Sequence, residues 1–311
     1  MAFTNSAGYQ NLAQGNFTPQ IFSQKVQKFF RRASVVEDIT NTDYAGEIEN
    51  FGDTVKIIKE PTITVKDYAR GQTVDTQLLA DDQITMTVDQ GSYFAFKVDD
   101  IEERQSHVNF EALATSSGAY SLKKNYDYNV LKFIYDNAND GTGSGTDGSP
   151  IDGDAAVDTL ANLVSTLKRN LDKNDVPEDN RWLVAPPEFF EQLRKAGGKL
   201  SDQSVMNDGG ASQIRNGKVT DRPLFGFNMY SSNAIAVSGG SAASHTFGSA
   251  GSNEYAYVYG HMSGVATVNH IAKTELIRDP DSFADVVRGL HVFGRKILRS
   301  EAVQRGVITI G

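Results

Sequence analysis

Apolar residues change their spacing several times along this chain, and each change marks a different element. In segment 18–32 (TPQIFSQKVQKFFRR), Ile21, Phe22, Val26, Phe29 and Phe30 recur at helical spacing. Thr18 suits the N-cap, and Pro19 suits the first helical position, where an N–H would be unpaired anyway. The spacing predicts a short amphipathic helix, its apolar face packed either into the chain's own core or onto another molecule. Period-two alternation follows. Thr62-Ile63-Thr64-Val65-Lys66 and Ile84-Thr85-Met86-Thr87-Val88 alternate polar and apolar, and Phe94, Phe96 and Val98 continue the pattern. Ala69-Arg70-Gly71-Gln72 and the polar run ending in Asp81-Asp82 read as a turn and a loop. The result is a long, mostly two-stranded ribbon over residues 53–90. Two strands alone are marginal in water, and at roughly 3.3 Å per residue this ribbon outreaches a compact body. It needs a packing surface, on its own domain or on a neighbour.

Residues 100–139 contain no proline and, apart from Gly118, no turn cluster. Phe110, Leu113 and Ala114, then Tyr128, Leu131, Ile134 and Tyr135, give one helical stripe; Leu122, Tyr126, Val130 and Phe133 give a second. Together they predict a spine helix of about 30 residues and about 45 Å, against a usual mean of about 11–12 residues. Gly118, after Thr115-Ser116-Ser117, permits a kink. Residues 139–150 (NDGTGSGTDGSP) break the pattern and mark the strongest domain boundary. Beyond it, Leu160, Leu163, Val164, Leu167 and Leu171 predict a one-faced helix. Trp182-Leu183-Val184-Ala185 predicts a buried strand, which runs through Pro186-Pro187 into a helix closed by Gly197-Gly198. Segments 199–217 and 239–251 read as mobile loops. Residues 224–237 read as strand broken at Ser231-Ser232-Asn233, and 255–310 return to strand patterns. The fold class is α+β.

The formal net charge of -9 argues against tight nucleic-acid binding as the main task, though not against enclosing it. No cysteine is present, which removes disulfides, zinc thiolates and thiol nucleophiles. The first residues carry neither a basic region nor a long apolar run, so no signal peptide is expected. No stretch approaches the roughly 18 apolar residues of a membrane span. Catalytic spacing is missing as well. His107, His245, His261, His270 and His291 show no paired-ligand spacing, and no GxSxG elbow occurs. Gly141-Thr142-Gly143-Ser144-Gly145 lacks the GK[ST] ending of a phosphate loop and reads as a linker. Asp147, Asp152 and Asp154 lack the EF-hand order. Asp279-Pro280-Asp281 reads as a turn, and Glu102-Glu103 as a helix start. No catalytic residue, cofactor or metal site is expected.

The order of these parts resembles the Hong Kong 97-type fold of tailed-phage major capsid proteins. Asn50-Phe51-Gly52-Asp53-Thr54-Val55 resembles the start of that family's extended loop. Trp182-Leu183-Val184-Ala185-Pro186-Pro187-Glu188-Phe189-Phe190 resembles its axial strand-to-helix step. Leu224-Phe225-Gly226-Phe227-Asn228-Met229-Tyr230-Ser231-Ser232-Asn233 is similar to the element that follows it. Residues 283–296, from Phe283 through Gly289 and Gly294 to Lys296, resemble the return segment.

The resemblance implies an N-terminal arm (1–34), a first peripheral part (35–52) and an extended loop (53–90). It further implies a peripheral domain with the spine helix (91–140), an axial domain (141–277) and return strands (278–311). It implies copies joined as hexamers and pentamers in an icosahedral shell around double-stranded DNA, assembled in the bacterial cytoplasm with a separate scaffolding protein and a portal protein. Inter-subunit contacts are expected at Lys66, Asp67, Tyr68, Arg70 and Gly71 on the loop, and at Phe29, Phe30, Arg31 and Arg32 on the arm. Segment 199–217 is the candidate contact at the hexamer centre. Lys123, Lys124 and Lys132 on the spine face either DNA or plain solvent. A nanocompartment shell of the encapsulin type, an α/β enzyme with a dispersed site and another virion protein such as a tail component are the competing readings.

Overall fold

A computed structural model describes residues 34–44, 54–61, 63–74, 76–78, 83–100, 110–146, 149–156, 158–193, 223–235 and 254–310. After a single helical turn, α1 (Val36–Ile39), the first long element is α2 (Phe110–Asn137), 28 residues without interruption. The expected kink residue, Gly118, lies inside this helix. A Cβ there would stand 2.8 Å from Phe94 Cε2. Glycine therefore serves close approach of helix to strand at this position.

Phe94 belongs to β3 (Gln90–Asp99), one edge of a three-stranded antiparallel sheet with β10 (Ala284–Ile297) at its centre and β9 (Val265–Arg278) beyond. In β3, Tyr93, Ala95 and Lys97 are exposed, whereas Phe94, Phe96 and Val98 are half-buried, as the alternation predicted. Gly289 of β10 pairs with Phe94, and a side chain there would run into the same ring. One phenylalanine thus requires a glycine on each side of it.

The second sheet runs β4 (Asn139–Asp140), β11 (Val303–Thr309), β8 (Glu254–His261), β6 (Arg181–Ala185), β7 (Phe227–Ser231), with β5 (Ile151–Asp152) also on β11. All five residues of β6 are buried because the sheet is covered on both faces. Leu183 and Ala185 pack with Leu163, Leu167 and Leu171 of α3 (Thr159–Lys173) and with Phe189 and Leu193 of α4 (Pro187–Leu193). Trp182 and Val184 face the other way, onto Val130, Leu131 and Ile134 of α2. The same cluster takes in Phe293 of β10, so the spine helix is the element both sheets share.

Two buried polar features fix the turns. Arg181 is almost fully buried, and its guanidinium donates to Asp172 Oδ1 at 2.6 Å, Pro177 O at 2.7 Å and the Val176 carbonyl. That staple joins the end of α3 to the start of β6. The glycine-rich run 139–150 corrects the linker expectation. Its flanks β4 and β5 pair in parallel with β11, and the Ser144 carbonyl accepts from Tyr257 Oη at 2.6 Å and Val307 N at 3.2 Å. Burial pushes the Tyr257 phenol well up, so it stays a donor. A side chain at Gly141 would run into Tyr259 Oη, and one at Gly145 into Val307 O. These glycines permit close packing against β11.

Two further differences concern the strands. The ribbon's ladder is β1 (Thr54–Ile58) against β2 (Gln83–Thr87), from Thr54 opposite Thr87 to Ile58 opposite Gln83. The alternating stretch expected as a strand around Ile63 to Lys66 carries no ladder, because no described strand lies beside it. Of the return strands, β10 joins β3, whereas β11 enters the six-stranded sheet between β4 and β8.

Candidate assembly surfaces

Among the described residues, the ribbon is anchored only at its base. Val55, Met86 and Val88 are buried against Ala266 and Val268 of β9 and Val292 of β10. Gly294 helps, since a side chain there would press on Thr87 O at 2.8 Å. Past Ile58 the ladder stops and every described side chain from residue 59 to 78 is exposed. These include Ile63, Tyr68 and Val74, with Val65 92% and Leu78 94% accessible. In place of a ladder, Thr64 N donates to Gln77 Oε1 at 3.0 Å. The tip closes where Gln72 N donates to Ala69 O at 3.0 Å and Ala69 N to Gln72 Oε1 at 3.2 Å. Gly71 takes φ +88 there with open space around it, so glycine answers the backbone conformation. The structure therefore brings Lys66, Asp67, Tyr68, Arg70 and Gly71 together at one exposed tip. Phe29, Phe30, Arg31 and Arg32, and the loop 199–217, lie outside the described residues.

Sequence reading missed a second surface on the three-stranded sheet. By register, Tyr93, Leu290 and Ile277 are exposed large apolar side chains on one face of it; exposed Leu276 stands on the opposite face, and Phe283 lies in the turn before β10. Around them run ion pairs: Lys97 with Asp279, Arg278 with Asp100 and Asp285, and Glu275 with Arg288 and Lys273. The bond from Lys273, then that from Arg288, holds the Glu275 carboxyl at about 2. Exposed to solvent screening, such pairs fix orientation more than stability. Only pairing across strands, invisible to linear spacing, assembles them.

Two of the spine lysines pair with carboxylates. Lys123 meets Glu37 at 3.2 Å and Lys132 meets Asp136 one turn on at 2.7 Å. Between α2 and the sheet lies a cleft of about 320 Å³, lined by Phe94, Leu122, Tyr126, Leu290 and His291, with Glu37, Lys123 and Lys273 also lining it. His291 stacks on Phe293 and meets Tyr126 edge-on, and its buried Nδ1 has no partner. Burial lowers its pKa below the ordinary 6.5. An imidazole that resists protonation in the fold binds fewer protons than the unfolded chain does. Stability is then fully present above about 6.5 and is lost as pH falls below it. His261, also lowered by burial, acts in the same direction. The thermal midpoint of the subunit is expected to fall between pH 7 and 5.5, and to fall less in His291→Phe; an equal fall would remove His291 from that response.

His261 Nδ1 accepts from Ser263 N at 3.1 Å and meets Ser263 Oγ at 2.7 Å, which caps a short turn. No group of three or more His, Asp or Glu side chains is placed to hold a metal among the described residues. No described helix is long and apolar enough to cross a membrane.

A protein of Mycobacterium phage Che8 superposes with a TM-score of 0.79 at 28% identity, over 94% of this chain and 98% of that one. The capsid of cyanophage P-SCSP1u gives 0.70 at 16% identity, over 96% and 94%. The head structure of Helicobacter pylori bacteriophage KHP40 gives 0.69 at 9% identity, over 99% and 100%. No curated protein sequence matches significantly. The family described as "Phage capsid protein" matches residues 81–306, from the ribbon's return strand to β11. The chain belongs to the phage capsid protein family, a coat subunit whose place is the shell of the virion.

Proposed function

We propose that this chain is the major capsid protein of a tailed phage with the Hong Kong 97-type division of labour, closing as hexamers and pentamers into an icosahedral shell around double-stranded DNA. The ribbon carries this reading: the described apolar side chains from Ile63 to Leu78 are exposed, with no described residue covering them. Contiguous exposed apolar surface of that kind marks a contact. The ribbon would lie over the neighbouring copy, with Lys66, Asp67, Tyr68, Arg70 and Gly71 as its contact residues. Segment 1–34 would act as an arm, and Phe29, Phe30, Arg31 and Arg32 would contact a neighbour. A separate scaffolding protein and a portal protein are the partners this role requires. The net charge of -9 suits a container that encloses DNA without gripping it.

The role is structural. An encapsulin-type compartment and an enzyme with a dispersed site, both compatible with the sequence alone, gain nothing from the capsid family match. Replacing Phe29 and Phe30 by Ala tests the arm. Particle yield is expected to fall several-fold while the free subunit's melting temperature moves by less than about 2 °C. Normal particles built from a strongly destabilised subunit would instead return this segment to the chain's own core.

A further inference from the structure

A two-residue turn leads into β7. Leu224 and Phe227 exchange both backbone hydrogen bonds at 3.0 Å, and between them Phe225 has φ 51 and Gly226 φ 83. Two successive positive φ values in a two-residue hairpin are the type I′ pattern, which Asn-Gly or Asp-Gly fills without strain. Gly226 meets that demand, with open space around it. Phe225 does not, because its Cβ crowds the backbone in the left-handed region. Phe225 nevertheless leaves 43% of its surface exposed. Its neighbours hold it there: Phe227 is fully buried, and Leu224 packs on the core beneath α3 and α4. The turn sits at the outer edge of the six-stranded sheet, where β7 pairs with β6 and, among the described residues, with no strand beyond.

Backbone strain kept at an exposed position, where a cheaper residue fits, points to use. We propose that Phe225 is a preset anchor that seats in an apolar recess of a second copy of this chain. The inference rests on the capsid role, which surrounds each subunit with copies of itself. Copies carrying -9 each repel one another, so an uncharged anchor supplies attraction that the charge does not. A rigid two-torsion aromatic also loses little freedom when it docks.

The chain has no cysteine, so Phe225→Cys introduces a single thiol. Its alkylation by N-ethylmaleimide is expected to be at least about tenfold slower in assembled particles than in free subunits. Equal rates would overturn the proposal. Phe225→Asn relieves the turn, so the free subunit should melt at the same or a higher temperature while particle yield drops by about tenfold. Normal yield from that variant would also overturn it. Whether the unsubstituted chain forms particles reads the capsid role, whereas the thiol rate within the particles that Phe225→Cys still builds reads Phe225.

Discussion

Deleting residues 68–79 from the ribbon tip is expected to leave a folded subunit that no longer builds shells. The tip contributes no described side chain to any core cluster, because the described anchorage of the ribbon lies at its base, in Val55, Met86 and Val88 with Ile57 packed against them. The subunit's melting temperature should therefore change little. Assembly should not survive. Tyr68, Val74 and Leu78 go with the deletion, and full burial of each such side chain stabilises by about 1.5–3 kcal/mol. Even half of that total is more than 2 kcal/mol per contact, and every 1.4 kcal/mol is about tenfold in association. Because a shell repeats the contact in every copy, a modest loss per contact stops closure. Sedimentation of the variant beside the parent checks this: subunits without shells are expected, and normal shells would remove the ribbon from the assembly mechanism.

Gly145→Ala is expected to cost the subunit about 2–4 kcal/mol, adding left-handed strain to overpacking. Gly145 has φ 79, and a Cβ there would run into Val307 O and press on Ile151 N at 2.9 Å. Both obstacles are backbone, so no rotamer change relieves them. Val307 would be forced away from the Ser144 carbonyl, and β5 from β11. A denaturant melt reads the loss. An alanine variant as stable as the parent would show that segment 139–152 is the loose connection its composition suggested.

That segment shows where linear reading stops. Glycine, serine and aspartate spell a linker when counted, yet Gly141 and Gly145 are required by Tyr259 and Val307, more than a hundred residues away. Elements held by local periodicity were legible: α2, α3, β6 and the alternation of β3 all lie where spacing placed them. The ribbon was legible as an object but not in register. Ile63 and Val65 alternate as a strand should, but a strand needs a partner as well as a pattern, and the ladder lies eight residues earlier at Thr54–Ile58. The tip residues were found because turn chemistry is local. The apolar patch on β3, β9 and β10 was not, because pairing brings together Tyr93 and Leu290, far apart in the chain.

Self-assembly is the central claim, and electron microscopy of the full-length protein, produced with its phage's scaffolding protein, tests it most directly. Hollow polyhedra or the rings of hexamers and pentamers are expected. Single subunits at every concentration, or open tubes, would contradict it.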